Sequence, residues 1–378
     1  MRKLKLGAVI ISLFLINLNC HYKESKDNVD LLDEFKKLYT IGYEDEDAAK
    51  HEVYDYIFSY SVDNKNNVYV GDIIDSQIDK YNQNGNYLFS FGREGQGPGE
   101  FEGIGSFAVN DKGILYTYSN QKKYFMLFDP KGQFIKQINF PDEFSNDYCG
   151  TIKIDKMNNV WTLFYSIKKG FQIIKFNKEL NHFSIVHSDN KRKSLAYTKA
   201  SMLPILYPDF DFDENRRLYI TDSIDYTLYV YSTENNKLIR TYNRKYKKIK
   251  INKKDLIYNT GRGIMDIRNM ADSILNDLEG ANKYLPSIFG VNIINDNILL
   301  WSSERNEDMK FKIDIYDMNF NFIKSVYHYN FLPLNLVKTR NNRLYIPNMA
   351  LNKNEFEKLP GRLSMFNVPY KIFVYKLE

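Results

Sequence analysis

The sequence predicts an all-β fold, a six-bladed β-propeller with four-stranded antiparallel blades, and three observations carry that prediction. A strand–turn–strand theme recurs six times in 378 residues. Three of its five intervals are 45 to 47 residues, and the last unit lacks an outer strand that the N-terminal segment can supply. Composition agrees. The chain is 43% apolar with 30 Tyr and 26 Phe, enough to fill a core. Broad rings suit the pleated surface of strands, and a disordered chain would not carry so many.

The theme reads "FSYSVDNKNNVYVGD" (58–72), "GSFAVNDKGILYTYS" (105–119), "GTIKIDKMNNVWTLF" (150–164), "DFDFDENRRLYITDS" (209–223), "FGVNIINDNILLWSS" (289–303) and "NLVKTRNNRLYIPNM" (335–349). Aligning the ring or Leu of its second strand picks out Tyr69, Tyr116, Trp161, Tyr219, Leu300 and Tyr345, spaced by 47, 45, 58, 81 and 45 residues. A third strand follows, as in "KYFMLFDPKG" (123–132), ending in a turn cluster such as Asn84-Gly85 or Pro130-Lys131-Gly132. A fourth follows that, as in "QFIKQINF" (133–140). Each blade has two faces that need neighbours, and a closed ring covers all of them. The sixth unit stops at its third strand, "YKIFVYKLE" (370–378). "EFKKLYTIG" (34–42) has the form of a fourth strand and is expected to complete that blade. Closure there removes two exposed edges. The propeller is thus assigned to residues 34–378.

Between blades one and two lies "FGREGQGPGEF" (91–101). A phosphate-binding glycine loop has to open a helix. Here "GSFAVND" follows, which reads as strand, and the spacing of Gly92, Gly95, Gly97 and Gly99 matches no dinucleotide fingerprint. The glycines and Pro98 are read as a tight crossover between blades. This string, followed by an apolar strand, an Asp/Asn turn, "LY" and "FDPKGQF", resembles the NHL-type repeat, and in particular the bacterial six-bladed β-propeller lipoproteins. The resemblance spans nearly the whole mature chain, with its strongest motifs in blades one and two.

The first residues fit that family. "MRKLK" is a basic start and Leu6 to Leu18 an apolar stretch too short to span a bilayer comfortably. Cys20 follows, in a context that resembles a lipobox with Asn19 and Asn17 at unusual positions. Residues 1–19 are read as a signal peptide and 20–33 as a lipidated tether. The alternative is an uncleaved or conventionally cleaved signal with Cys20 incidental. The implied address is the cell envelope, and His21 after the cysteine points to the outer membrane, with the face left open. Without residues 1–19 the net charge falls from +5 to +2, which gives no electrostatic case for nucleic acid. The other cysteine, Cys149, is read as a small core residue.

The longest interval holds an insertion at 252–286. Ile264, Ile267, Ala271, Ile274, Leu275 and Leu278 fall at helical spacing, with Gly280 as C-cap, and predict a helix over 264–279 between blades four and five. A lid packed on the rim is the expected role; a partner-facing helix is the alternative. Its polar face of Asp266, Asp272, Asn276 and Asp277 argues against an anionic bilayer. Two basic segments, 243–254 and 188–201, are expected to be neighbours in the ring. They are read as solvated, or else as contacts to anionic lipid or an acidic polysaccharide.

For function, the sequence favours a non-enzymatic, monomeric binding or scaffold module for a protein, peptide or glycan. One mouth would be lined by the loops at 188–208 and 243–286. Arg93, Glu94, Tyr207 and Trp301 are candidate exposed contacts, and no catalytic residue is assigned. The family resemblance supplies the alternative, a calcium-dependent hydrolase or lyase like the lactonases, with metal in the central channel. Asp209, Asp211 and Asn292 would be its oxygen ligands. A three-histidine zinc site is not expected, because none of the five histidines starts an inner strand.

Overall fold

The computed structural model describes residues 29–42, 57–72, 75–119, 121–166, 168–191, 207–253, 267–278, 280–308, 310–328, 337–348 and 371–377. They form six separate four-stranded antiparallel sheets. In five of them the strands follow chain order from the axis outward. The inner strands of blades one to five are Ile57–Val62, Phe107–Val109, Tyr148–Ile154, Phe210–Phe212 and Ile288–Ile294.

Blade six departs from chain order. Its strands Lys338–Arg340, Arg343–Asn348 and Lys371–Leu377 are completed by Phe35–Ile41, which pairs antiparallel with the last of them from Phe35 opposite Leu377 to Ile41 opposite Ile372. The ring is sealed by both ends of the chain, as the sequence predicts. Ordered packing begins before residue 34, however. Leu31–Glu34 forms a short 3-10 helix capped by Asp30, and the Tyr327 N–H donates to the Val29 carbonyl at 2.9 Å. Asp30 also meets Lys310 at 2.7 Å and His328 at 3.3 Å. Burial alone would raise the Asp30 carboxyl. The hydrogen bonds from His328, Lys310 and the Leu32 N–H outweigh that and hold it well below the usual range. The lipid-anchor reading of Cys20 lies outside the described residues.

One local device explains the repeat. The acid or amide opening the first turn accepts backbone N–H groups two and four residues on, and in three blades also the ring donor six residues on. Asp63 takes Lys65, Asn67 and the Tyr69 hydroxyl. Asp155 takes Met157, Asn159 and the Trp161 indole at 2.8 Å. Asn110 holds Lys112 and Ile114, and Asp213 holds Arg217 and Tyr219. Such Asx turns satisfy the turn and pin the ring with one side chain.

The core lies in the seams between blades. Ile41, Tyr60, Val70, Tyr345 and Val374 fill the seam between blades six and one. Phe91, Phe101, Phe107 and Phe128 fill the next. At the crossover, Gly92 has φ +83°, and a Cβ there would collide with the buried Phe101 ring, so glycine is required. Cys149 is fully buried, as expected. The inserted helix runs Ile267–Asp277, and residues 254–266 lie outside the described set. Ile274 and Leu278 join the core with Ile251 and Leu285, which supports the lid.

Candidate functional site

The inner strand of each blade presents one edge to the axis. Unpaired N–H and C=O groups there are costly unless a side chain meets them. The preceding blade supplies it. Ser59 and Ser61 of blade one accept the Phe107 and Val109 N–H groups of blade two at 3.3 and 3.1 Å. Ser106 of blade two accepts Ile152 of blade three at 3.3 Å. Lys153 of blade three donates to the Phe210 carbonyl of blade four. Asp209 and Asp211 of blade four accept Val291 and Ile293 of blade five at 3.1 and 3.0 Å. Asn292 of blade five donates to the Val337 carbonyl of blade six at 3.0 Å.

At blade six the bridge comes from blade one: the Tyr60 hydroxyl donates to the Tyr345 carbonyl at 2.9 Å and also meets the Lys338 backbone. Lys338 directs its ammonium over the Tyr60 ring of blade one, 5.5 Å from the centroid. Among the described residues that ammonium has no hydrogen-bond or ion-pair partner.

Ser61, Lys153, Asp211, Asn292 and Lys338 border a cavity of about 410 Å³ that every blade helps to line. It opens among the turns joining first and second strands, through residues such as Asp155, Glu214, Asp296 and Asn342. The described ends of the loops 188–208 and 243–286, expected to line a mouth, lead into the start of the inner strands of blades four and five, and this cavity lies at the other end of those strands; residues 192–206 and 254–266 are outside the described set.

Its electrostatics are uneven. Lys153 sits 3.3 Å from Asp209 and 4.0 Å from Asp211. Lys156 pairs with Glu214 at 2.9 Å and Arg340 with Asp111. Burial pushes the Asp211 carboxyl up, against the pull of Lys153. Burial, reinforced by the Lys153 charge and only partly offset by Asp211 and Asp209, pushes the Lys338 amine down to about 7.

The calcium reading can be tested on this donor set. Asp209, Asp211 and Asn292 do converge on the channel wall. Both carboxylates, however, already accept backbone N–H groups of blade five and face the Lys153 ammonium. The Asn292 carbonyl accepts the Trp301 indole at 2.9 Å. An ammonium already occupies the place a cation would take, so these residues do not fit calcium. Among the described residues no three His, Cys, Asp or Glu side chains group to hold a metal.

The expected exposed contacts lie apart from the channel. Trp301 is fully buried, which corrects its assignment as a surface contact. A second strand is covered on both faces by neighbouring blades, so neither face of it reaches solvent. Tyr207 is partly buried against Tyr165 and Phe171. Arg93 is exposed and pairs with Glu100 at 2.6 Å, and Glu94 bridges to Phe101 within the glycine turn. The two basic segments do meet: Lys191 and Lys248 both pair with Asp225, at 2.8 and 3.0 Å.

Sequence reasoning missed Lys153 and Lys338. The signal was present: two residues before the turn acid or amide stand Ser61, Ala108, Lys153 and Asp211, and Lys338 stands two before Arg340 in blade six. Charge at that register marks the channel.

The family model described as "6-bladed beta-propeller" (DUF5128) matches residues 57–273. No curated protein matches the chain. Among solved structures, one titled a putative exported protein from Bacteroides fragilis shares 13% identity at a TM-score of 0.55, over 94% of this chain and 98% of that one. A member of the DUF4221 family from Bacteroides vulgatus shares 12% at 0.56, over 91% and 98%. At such identities the likeness is one of fold.

Proposed function

Because the chain belongs to the DUF5128 family of six-bladed β-propellers, we propose that it is an exported, lipid-anchored module that binds a protein, peptide or glycan at the turn-side mouth of its channel. One observation carries the binding site: a polar cavity of about 410 Å³ to which all six blades contribute. A closed ring holds such a cavity rigid, and rigid, preformed concavities with a few placed polar groups are where ligands bind. The start of the chain, with its basic residues, apolar stretch and Cys20, supports export and anchoring at the outer membrane, and a solved structure of the same fold is named a putative exported protein.

The test is binding of the full chain to peptide and glycan arrays, with the mouth plugged by Glu214→Trp and Asn342→Trp. Loss of a specific signal in the plugged protein, and its retention in Lys122→Trp at the opposite end, supports the reading. A signal indifferent to the plug refutes it. Separately, Cys20→Ser should release the protein from membranes, and a variant that stays bound overturns the anchor.

A further inference from the structure

We propose that Lys338 is the ligand-anchoring residue of the channel and receives the carboxylate of a singly charged organic ligand entering between the turns. This rests on the channel mouth being the binding surface.

Three observations lead there. First, the cavity is lined by four cationic side chains, Lys153, Lys156, Lys338 and Arg340. Three of them are matched by acids, namely Asp209 and Asp211, Glu214, and Asp111. Lys338 alone among these four lacks an acidic partner among the described residues. Second, the seam between blades six and one is bridged by the Tyr60 hydroxyl and not by the Lys338 side chain, whose ammonium meets only the Tyr60 ring among the described residues. A weak ring contact leaves the ammonium free to take a stronger partner. Third, the blade-one residues beside it are neutral: the Ser61 hydroxyl is engaged with Val109, and the Tyr60 hydroxyl donates to the Tyr345 carbonyl at 2.9 Å. Nothing in that arc supplies a negative charge, so the ligand has to bring it.

The valence follows from the surroundings. Five acids line the same cavity: Asp155, Asp211, Asp213, Glu214 and Asp296. A dianion such as phosphate would meet one uncommitted cation against that field. Phosphate sites favour several cations, a guanidinium fork or a nest of N–H groups. A single carboxylate needs one ammonium and exchanges the open contact for a charge-assisted hydrogen bond. Binding also draws a proton onto Lys338, whose amine is held down to about 7 by burial and by Lys153 against the pull of Asp209 and Asp211.

The experiment is amine footprinting of the full chain at neutral pH, using an acetylating ester read by peptide mass spectrometry. The probes are sodium benzoate, sodium acetate and inorganic phosphate against sodium chloride of equal ionic strength. Lys338, being partly neutral, should react roughly tenfold faster than the ion-paired Lys153 and Lys156. Benzoate or acetate should slow Lys338 about fivefold or more, with Lys153 unchanged. Three results overturn the proposal: no excess reactivity at Lys338, no protection beyond chloride, or protection by phosphate as strong as by benzoate. In Lys338→Met any thermal shift caused by benzoate should vanish while Lys153 labels as before, which shows an intact channel. Array binding that ignores the plugged mouth, with Lys338 still protected by benzoate, would defeat the wider functional reading and leave a carboxylate site. The converse pattern would defeat this site alone.

Discussion

Blades one and two meet the inner-strand edge of the next blade with hydroxyls, whereas blades three and four meet it with charges and blade six brings a lysine to the channel. Both arcs face the same backbone problem, an inner-strand edge with no neighbouring strand. Ser59, Ser61 and Ser106 solve it with neutral acceptors. Lys153, Asp209 and Asp211 solve it with ions buried against one another. Desolvating ions is expensive, and a buried pair is seldom more stabilising than a neutral replacement. Closing the ring therefore does not require the charged arc, since serine suffices one blade away. The excess chemistry is concentrated where the cavity is.

That contrast can be broken in steps. The largest effect is expected from Lys153→Met, which leaves Asp209 and Asp211 facing each other without a cation. The loss should be about 3–5 kcal/mol by denaturant unfolding. Combining it with Asp209→Ser and Asp211→Ser, in imitation of blade one, should recover most of that loss. If the triple variant is no better than the single one, the two arcs are not interchangeable solutions.

Lys338→Met should act in the opposite direction, raising stability by on the order of 1–2 kcal/mol near pH 6, because it removes a partly buried charge without a partner. The sign depends on pH. The folded amine titrates at about 7, below the ordinary lysine value of about 10.4. Between those values the unfolded chain holds more protons, so the wild type gains stability as pH rises. The advantage of the variant should be full below about pH 7 and fade toward pH 10. A stability difference that is flat across this range would contradict the geometry.

Ser61→Ala should cost about 1 kcal/mol, the price of one orphaned N–H at Val109. A loss as large as that of Lys153→Met would erase the distinction between the arcs. The smallest effect is expected from calcium. Millimolar calcium should leave the melting temperature within error, since the oxygens of Asp209, Asp211 and Asn292 are committed. Stoichiometric calcium in purified protein would reverse that conclusion.

The legible part of this protein was its local grammar. The acid or amide of the first turn, in three blades the ring six residues later, and the alternating strands around them act within a few residues, so they can be read in a row. Trp301 shows the limit. The sequence displays a ring, but whether it meets solvent depends on what covers the strand. In a propeller both faces of a second strand are covered. The channel side chains show the same limit more sharply. Asp209 and Asp211 stand in plain view as acids, and a metal site is a reasonable expectation for them. Their actual partners, Val291 and Ile293, lie 82 residues further along.

Taken alone, the amino-acid sequence determined the all-β class, the number of blades, the clasp of the two chain ends and the place of the inserted helix. Periodicity, turn chemistry and unpaired edges are properties of neighbouring residues and of length. Only the tertiary structure decided which lysine is neutralised and which is left open, because ring closure brings Lys153, Asp209, Asp211 and Lys338 to one axis from three different blades. Coulomb and desolvation terms depend on those distances through space, and no spacing along the chain encodes them.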